Sequence, residues 1–267
     1  MRTVRSYLGI FGIYVRVSFQ AELAYRVNLV VNVALALIGL LNAVAGVAVI
    51  YSHTTTLRGW TLPQTLLLLG VYTIVNGLLN VFVAPNLDQL SQNIRQGTLD
   101  FILLKPAGSQ FLASFQRCVI WGMTDVLLGL GIIAYSLHRL SGESGVGAGS
   151  LALFAITLAA GVVVVYCLWI MMATFAFWFV RIDNLTTLLH SVFGMGRFPV
   201  DAYPIWLRRM LTFVVPVALV TTVPAEALTG KLAPLIPLVS IGAAFLMVWL
   251  STRLWRLGLG QYTSASS

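Results

Sequence analysis

The sequence predicts an all-α, polytopic membrane protein, and three observations carry that reading. Hydrophobic residues fill 59% of its 267 positions and charged residues only 9%. Runs of about 20 apolar residues, the length at which a helix crosses a bilayer core, recur along the chain. Its sixteen Lys/Arg outnumber eight Asp/Glu, and the arginines are scattered at the ends of these runs, as membrane flanking charges are. The mean hydropathy of +0.92 leaves no hydrophilic domain, so residues 1–267 read as one transmembrane domain. The expected surroundings are a lipid bilayer; the pI near 9.9 does not point to nucleic acid, because the basic residues form no patch.

Residues 1–26 read as an amphipathic helix lying in the interface. At 100° per residue Arg2, Arg5, Gly9, Gly12, Arg16 and Gln20 share roughly a quarter of the helix circumference, and a basic face of that kind suits phosphate headgroups. The start of the chain lacks the short apolar core and cleavage site of a signal peptide. A first span follows at about 27–51. Its Asn28, Asn32, Gly39, Asn42 and Gly46 form one stripe, which marks either a helix contact in lipid or a pore wall. Thr61 caps a second span with Pro63 in its first turn. That span runs to about Val83 and places Thr73, Asn76 and Asn80 on one face.

The polar run 84–108, APNLDQLSQNIRQGTLDFILLKPAG, interrupts the apolar pattern. Pro85-Asn86 reads as a turn and helix start, and Gly97 as the stop. Leu87, Leu90 and Ile94 recur at helical spacing. A short helix on a membrane face between two spans is how such a protein docks on a soluble motor. The third span is expected at about 111–137, with Arg117 near its start and Asp125 inside. A carboxylate there is costly unless paired or wet, so Asp125 is a hydrogen bond between spans or a proton relay. A Gly/Ser-rich loop, His138 to Gly149, leads to a fourth span at 150–180. Arg181 and Asp183 mark a turn, and 184–197 is a modest helix carrying His190. Residues 198–231 are interrupted by proline, so they are a re-entrant segment or contain a span at about 211–228. The final span is 235–255.

Chemistry is sparse. There is no phosphate-binding loop, since Thr229-Gly230-Lys231 lacks the rest of the motif. No nucleophile–base set or metal-ligand spacing occurs, so no catalytic residue, cofactor or metal is expected in this chain. Cys118 and Cys167 read as buried hydrophobes. A proton-coupled secondary transporter is the rival class. It would need internal symmetry and several buried acids.

The run Ile94-Arg-Gln-Gly-Thr-Leu-Asp-Phe-Ile-Leu-Leu-Lys-Pro106 resembles the stretch after the second span in ABC-2 type permeases of ABC exporters. Phe198-Pro-Val-Asp-Ala-Tyr-Pro-Ile-Trp-Leu207, then Pro216, resembles that family's pattern before its last span. The tail 254–267 is similar to that of its small six-span subgroup. The resemblance covers the whole chain. It implies six transmembrane helices, the interfacial helix, a cytoplasmic coupling helix in 84–108, and short re-entrant outer helices in 198–231. It implies a coupling set of Leu87, Leu90 and Ile94 as packed face with Asp88, Arg95 and Asp100 as polar contacts, and an outer gate of Phe198, Pro199, Pro204, Trp206 and Pro216. Asn32, Asn42, Asn76, Asn80 and Asp125 stand as path or packing residues. It further implies two separate ATPase subunits holding ATP and Mg, and a second permease, a different chain or another copy. About ten of the sixteen basic residues then lie on the side of the amino terminus, which places that terminus in the cytoplasm and the chain in the inner (cytoplasmic) membrane.

Overall fold

The structure, a computed structural model, describes residues 2–23, 26–105, 108–140, 147–179 and 183–262. Of 2–8, 23, 26, 88, 95, 183 and 184 it describes the backbone alone. The expectations at Arg181, at 106–107, at 141–146 and at 263–267 lie outside the described residues. So do the side chains of Arg2, Arg5, Asp88, Arg95 and Asp183.

The described residues are helical with no β-strand among them, apart from one isolated bridge between Leu57 and Trp60. Helices α1 (Arg2–Leu23) and α2 (Arg26–His53) come first. After α3 (Leu62–Leu78) come α4 (Ala84–Gln96), α5 (Asp100–Leu103), α6 (Ser109–Phe115) and α7 (Met123–Leu140). Then follow α8 (Ala148–Thr174), α9 (Asp183–Gly194), α10 (Ile205–Arg209), α11 (Val223–Thr229) and α12 (Ile236–Leu259). Among the described residues, five stretches are long and apolar enough to span a bilayer: 27–53, 62–94, 120–140, 148–177 and 236–259. A sixth exists only if 205–214 and 218–229, bent at 77°, count as one span. The 12 residues of α9 reach about 18 Å as helix, short of a ~30 Å core.

Proline explains the irregular helices. Among the described residues three π-helical turns occur, at 79–83, 210–214 and 218–222. Each ends two residues before a proline: Pro85, Pro216 and Pro224. Proline lacks the N–H that would bond the carbonyl four residues back, and its ring crowds that carbonyl. A wider turn relieves the crowding.

This corrects two sequence expectations. Pro85-Asn86 is no turn: the chain stays helical from α3 through the π turn into α4, so the polar run begins inside the second span rather than after it. The third span is not continuous either. The chain unwinds at 116–119 between α6 and a 3₁₀ turn at Ile120–Gly122. The carbonyl of Val81, which Pro85 cannot serve, accepts the Val119 N–H at 2.9 Å. Asn86, 3% exposed, secures the same segment. Its Nδ2 donates to the Arg117 carbonyl at 2.7 Å, and the Arg117 N–H donates back to Asn86 Oδ1 at 2.8 Å. Buried backbone groups must be paired in lipid, and an amide on one helix here replaces the missing ladder of the next.

Helix α3 packs chiefly against α7 and also meets α11 and the π turn at 218–222, while α8 packs against α12 and α11. Leu67, Leu68 and Val71 of α3 and Val165, Cys167 and Ile170 of α8 are fully buried. Glycine permits the closest approach. A Cβ on Gly77 would lie 2.8 Å from the Gly122 carbonyl oxygen, and one on Gly122 3.0 Å from that of Gly77. Small residues let helix backbones touch where lipid offers no hydrophobic drive to association. Cys118 and Cys167 are both buried free thiols.

Candidate functional site

Two places concentrate polar chemistry. The first is a cleft of about 390 Å³ between α2, α3, the start of α7 and Arg197. It collects Asn32, Asn76, Asn80 and Asp125 of the expected path set, together with Thr73. Asn42 does not line it and is exposed elsewhere on α2. Asn76 of α3 and Asp125 of α7 line this cleft together. Asn80 sits within the π turn that Pro85 imposes. Asn32 Nδ2 donates to the Asn28 carbonyl at 2.7 Å.

The sequence reading missed Arg197, Tyr72 and Trp121 as members of this cleft. The Arg197 guanidinium stands 5.3 Å from the centroid of the Tyr72 ring, a contact worth about 0.5–2 kcal/mol. Its signal was legible as an arginine between two apolar stretches, where an intramembrane charge implies a polar cavity. The cleft thus offers amides and the hydroxyls of Tyr72 and Thr73, with one acid and one base lining it. Such a surface can hydrate or hold a solute.

The second place is the polar run. Leu87 and Leu90 are 4% and 1% exposed and pack inside this chain's own core, and Ile94 packs against that core. Within this chain they face inward, not toward an open surface. Because α4 continues α3, its apolar stripe meets the same core. The accessible apolar side chains lie further on, in α5 and just after it: Phe101 is 71% and Leu104 82% exposed. Gly97, at φ 69°, closes α4 with the left-handed residue that permits this corner. Asp100 lies beside Tyr262 of the carboxy-terminal segment.

The expected gate residues are dispersed along 198–216. Phe198 packs against the core, and Pro199 opens the 3₁₀ turn at Val200–Ala202. Pro204 precedes α10, Trp206 is 68% exposed, and Pro216 is buried at the 77° bend. Beyond it, Lys231 is held at the start of α3. Lys231 Nζ donates to the Gly59 carbonyl and to Gln64 Oε1, each at 2.7 Å, and stands 5.1 Å from the Trp60 ring centroid. Glu226 feels both Lys231 and Asp201 electrostatically. Asp201 also pairs with Arg208 at 3.0 Å, though both are well exposed and such pairs contribute about 0–1 kcal/mol.

Apolar spanning helices, a polar cleft within the membrane-spanning body, and a polar run that ends in exposed apolar side chains define a multi-pass membrane transport component. The family model for the ABC-2 family transporter protein matches residues 37–266, and the chain belongs to that family. It is a permease component of an ABC transporter, and the family works with ABC ATPase subunits. Comparison with curated proteins gives no match, and comparison with solved structures gives none.

Proposed function

We propose that this chain is the membrane subunit of an exporter, driven by two separate ATPase subunits that hold ATP and Mg and paired with a second permease, either a different chain or a second copy. The exposure of Phe101 and Leu104 carries this reading. Large apolar side chains standing out of a polar run, between Asp100 and Lys105, suit insertion into a cleft of a soluble partner. A rigid element seated in such a cleft transmits displacement by packing alone. Because α4 is helically continuous with α3, a push passed from α5 to α4 at the Gly97 corner reaches the cleft residues Asn76 and Asn80. Asp88, Arg95 and Asp100 are the proposed polar contacts around that anchor.

In this scheme 1–26 lies in the interface on the cytoplasmic side of the inner membrane, 84–108 is the coupling segment, and 198–231 is a re-entrant outer gate carrying Phe198, Pro199, Pro204, Trp206 and Pro216. The cleft with Asn32, Asn76, Asn80 and Asp125 is the path wall. The test is purification in mild detergent. An ATPase is expected to co-purify and to lose activity control when Leu104 is replaced by Asp. ATP hydrolysis by the isolated chain above a contaminant control would overturn the reading. So would transport driven by a proton gradient without ATP.

A further inference from the structure

Between α1 and the corner of α4 and α6 lies a cavity of about 580 Å³. Its polar wall consists of Ser18, Asn86, Gln89, Asn93, Gln116 and Arg117, and its apolar wall includes Val17, Leu90 and Ala113. Among the described lining residues Arg117 carries the one formal charge. Glu22 stands one turn beyond Ser18, but its Oε2 accepts the Ile120 N–H at 2.9 Å. The Arg117 side chain is exposed and reaches Gln89 Oε1 only at 3.4 Å, so its fork of donors is mostly left for another acceptor. Ser18 Oγ accepts the Cys118 N–H at 3.1 Å, which leaves its own proton to donate.

A separate apolar groove of about 300 Å³ lies near this wall, lined by Val75, Leu79, Phe82, Phe115 and Val163 among others. The two spaces are linked through the chain. Phe82 precedes Asn86 by one helical turn, and Phe115 directly precedes Gln116. Phe11 of α1 packs on both phenyl rings, with centroids 5.7 Å and 6.0 Å away.

We propose that the polar cavity binds the phosphate headgroup of an anionic glycerophospholipid, with an acyl chain in the apolar groove. The cavity supplies a cation, amide and hydroxyl donors and no carboxylate among its described lining residues, which is the complement of a phosphodiester. Its setting under an amphipathic helix with an exposed Arg16 is where headgroups lie. The nearby apolar groove favours a lipid over a free anion.

Native mass spectrometry tests this on the purified chain with its co-purifying subunits, released from micelles holding equal phosphatidylglycerol and phosphatidylcholine. Preferential retention of phosphatidylglycerol is expected. Arg117→Gln should lower that preference about fivefold, the worth of one basic side chain against an anionic surface. Gln89→Glu, which sets a carboxylate beside the guanidinium, should lower it as far. Both side chains are exposed, so the fold survives either change. Equal retention of the two lipids by the wild type, or the wild-type preference kept in both variants, overturns the proposal. Displacement of phosphatidylglycerol by millimolar inorganic phosphate assigns the cavity to a soluble anion and overturns it as well.

Discussion

Gly70 and Gly129 face each other across α3 and α7 with no room for a side chain on either. A Cβ on Gly70 would lie 2.9 Å from the Gly129 carbonyl oxygen, and one on Gly129 2.7 Å from the Gly70 carbonyl oxygen. Gly77 and Gly122 repeat the contact seven residues along, so the two helices touch backbone to backbone over two turns. In each case a carbonyl that cannot rotate aside is among the obstacles.

Gly129→Val should therefore separate α3 from α7 and lower stability by about 1–3 kcal/mol, the usual cost of overpacking. Gly131→Ala on the same helix meets nothing within 4 Å and should be neutral. Thermal unfolding of the detergent-solubilised chain checks both. Equal melting temperatures for the two variants would refute the backbone contact.

Charge placed in the polar run separates packing from coupling. Leu90→Asp buries a carboxylate at a site 1% exposed and should abolish stable insertion, since an unpaired buried charge costs several kcal/mol. Leu104→Asp, at a site 82% exposed, should leave melting unchanged and disconnect transport from ATP hydrolysis. If Leu90→Asp folds normally, or Leu104→Asp transports normally, the division of roles between α4 and α5 fails.

The sequence made the apolar spans legible because their length and composition need no partner to be read. It also showed the Leu87–Leu90–Ile94 stripe, but periodicity says only that a face is covered. It does not say by what, and the cover is this chain's own core. The break at 116–119 was hidden for another reason. The bonds that replace its helical ladder come from Asn86, Ser18 and Glu22, which lie far off in sequence. Of the cleft, the asparagines on one face of α3 were legible. Arg197 was legible as a charge between apolar stretches, but that it reaches this cleft depends on how the segment after α9 packs.

Glu22 gives a pH dependence. Burial of its carboxyl raises the pKa above the ordinary glutamate value, while the Ile120 N–H that it accepts works the other way. A carboxyl with a raised folded pKa binds its proton more tightly in the folded chain. Its ionised form therefore weakens the docking of α1, and that cost fades as pH falls through the folded pKa toward the unfolded one. Stability should rise on acidification across that window in the wild type and less so in Glu22→Gln, whose side-chain carbonyl keeps the Ile120 bond. Melting curves over that pH range decide it, and identical slopes for the two proteins would count against the assignment.

The side from which position 202 is reached decides the course of 198–231. If the segment is re-entrant, its two ends share one face of the membrane. If 205–229 is a bent span, they lie on opposite faces. Lys231 is held by Gly59 and Gln64 at the start of α3, and Glu226 feels Asp201 as well as Lys231. Asp201 and Lys231 therefore belong to one end of the bundle, the end away from the polar run. The basic residues argue the other way, because a full span would keep Arg197, Arg208 and Arg209 inside. A charge rule is a bias over many loops, whereas the Lys231 contacts fix a position, so the re-entrant course is the stronger expectation. Ala202→Cys, with the buried Cys118 and Cys167 replaced by Ala, should react with an impermeant thiol reagent added outside intact cells. Reaction only after the membrane is opened would put 202 in the cytoplasm. It would make the bent pair a sixth span and restore Arg208 and Arg209 as inside anchors.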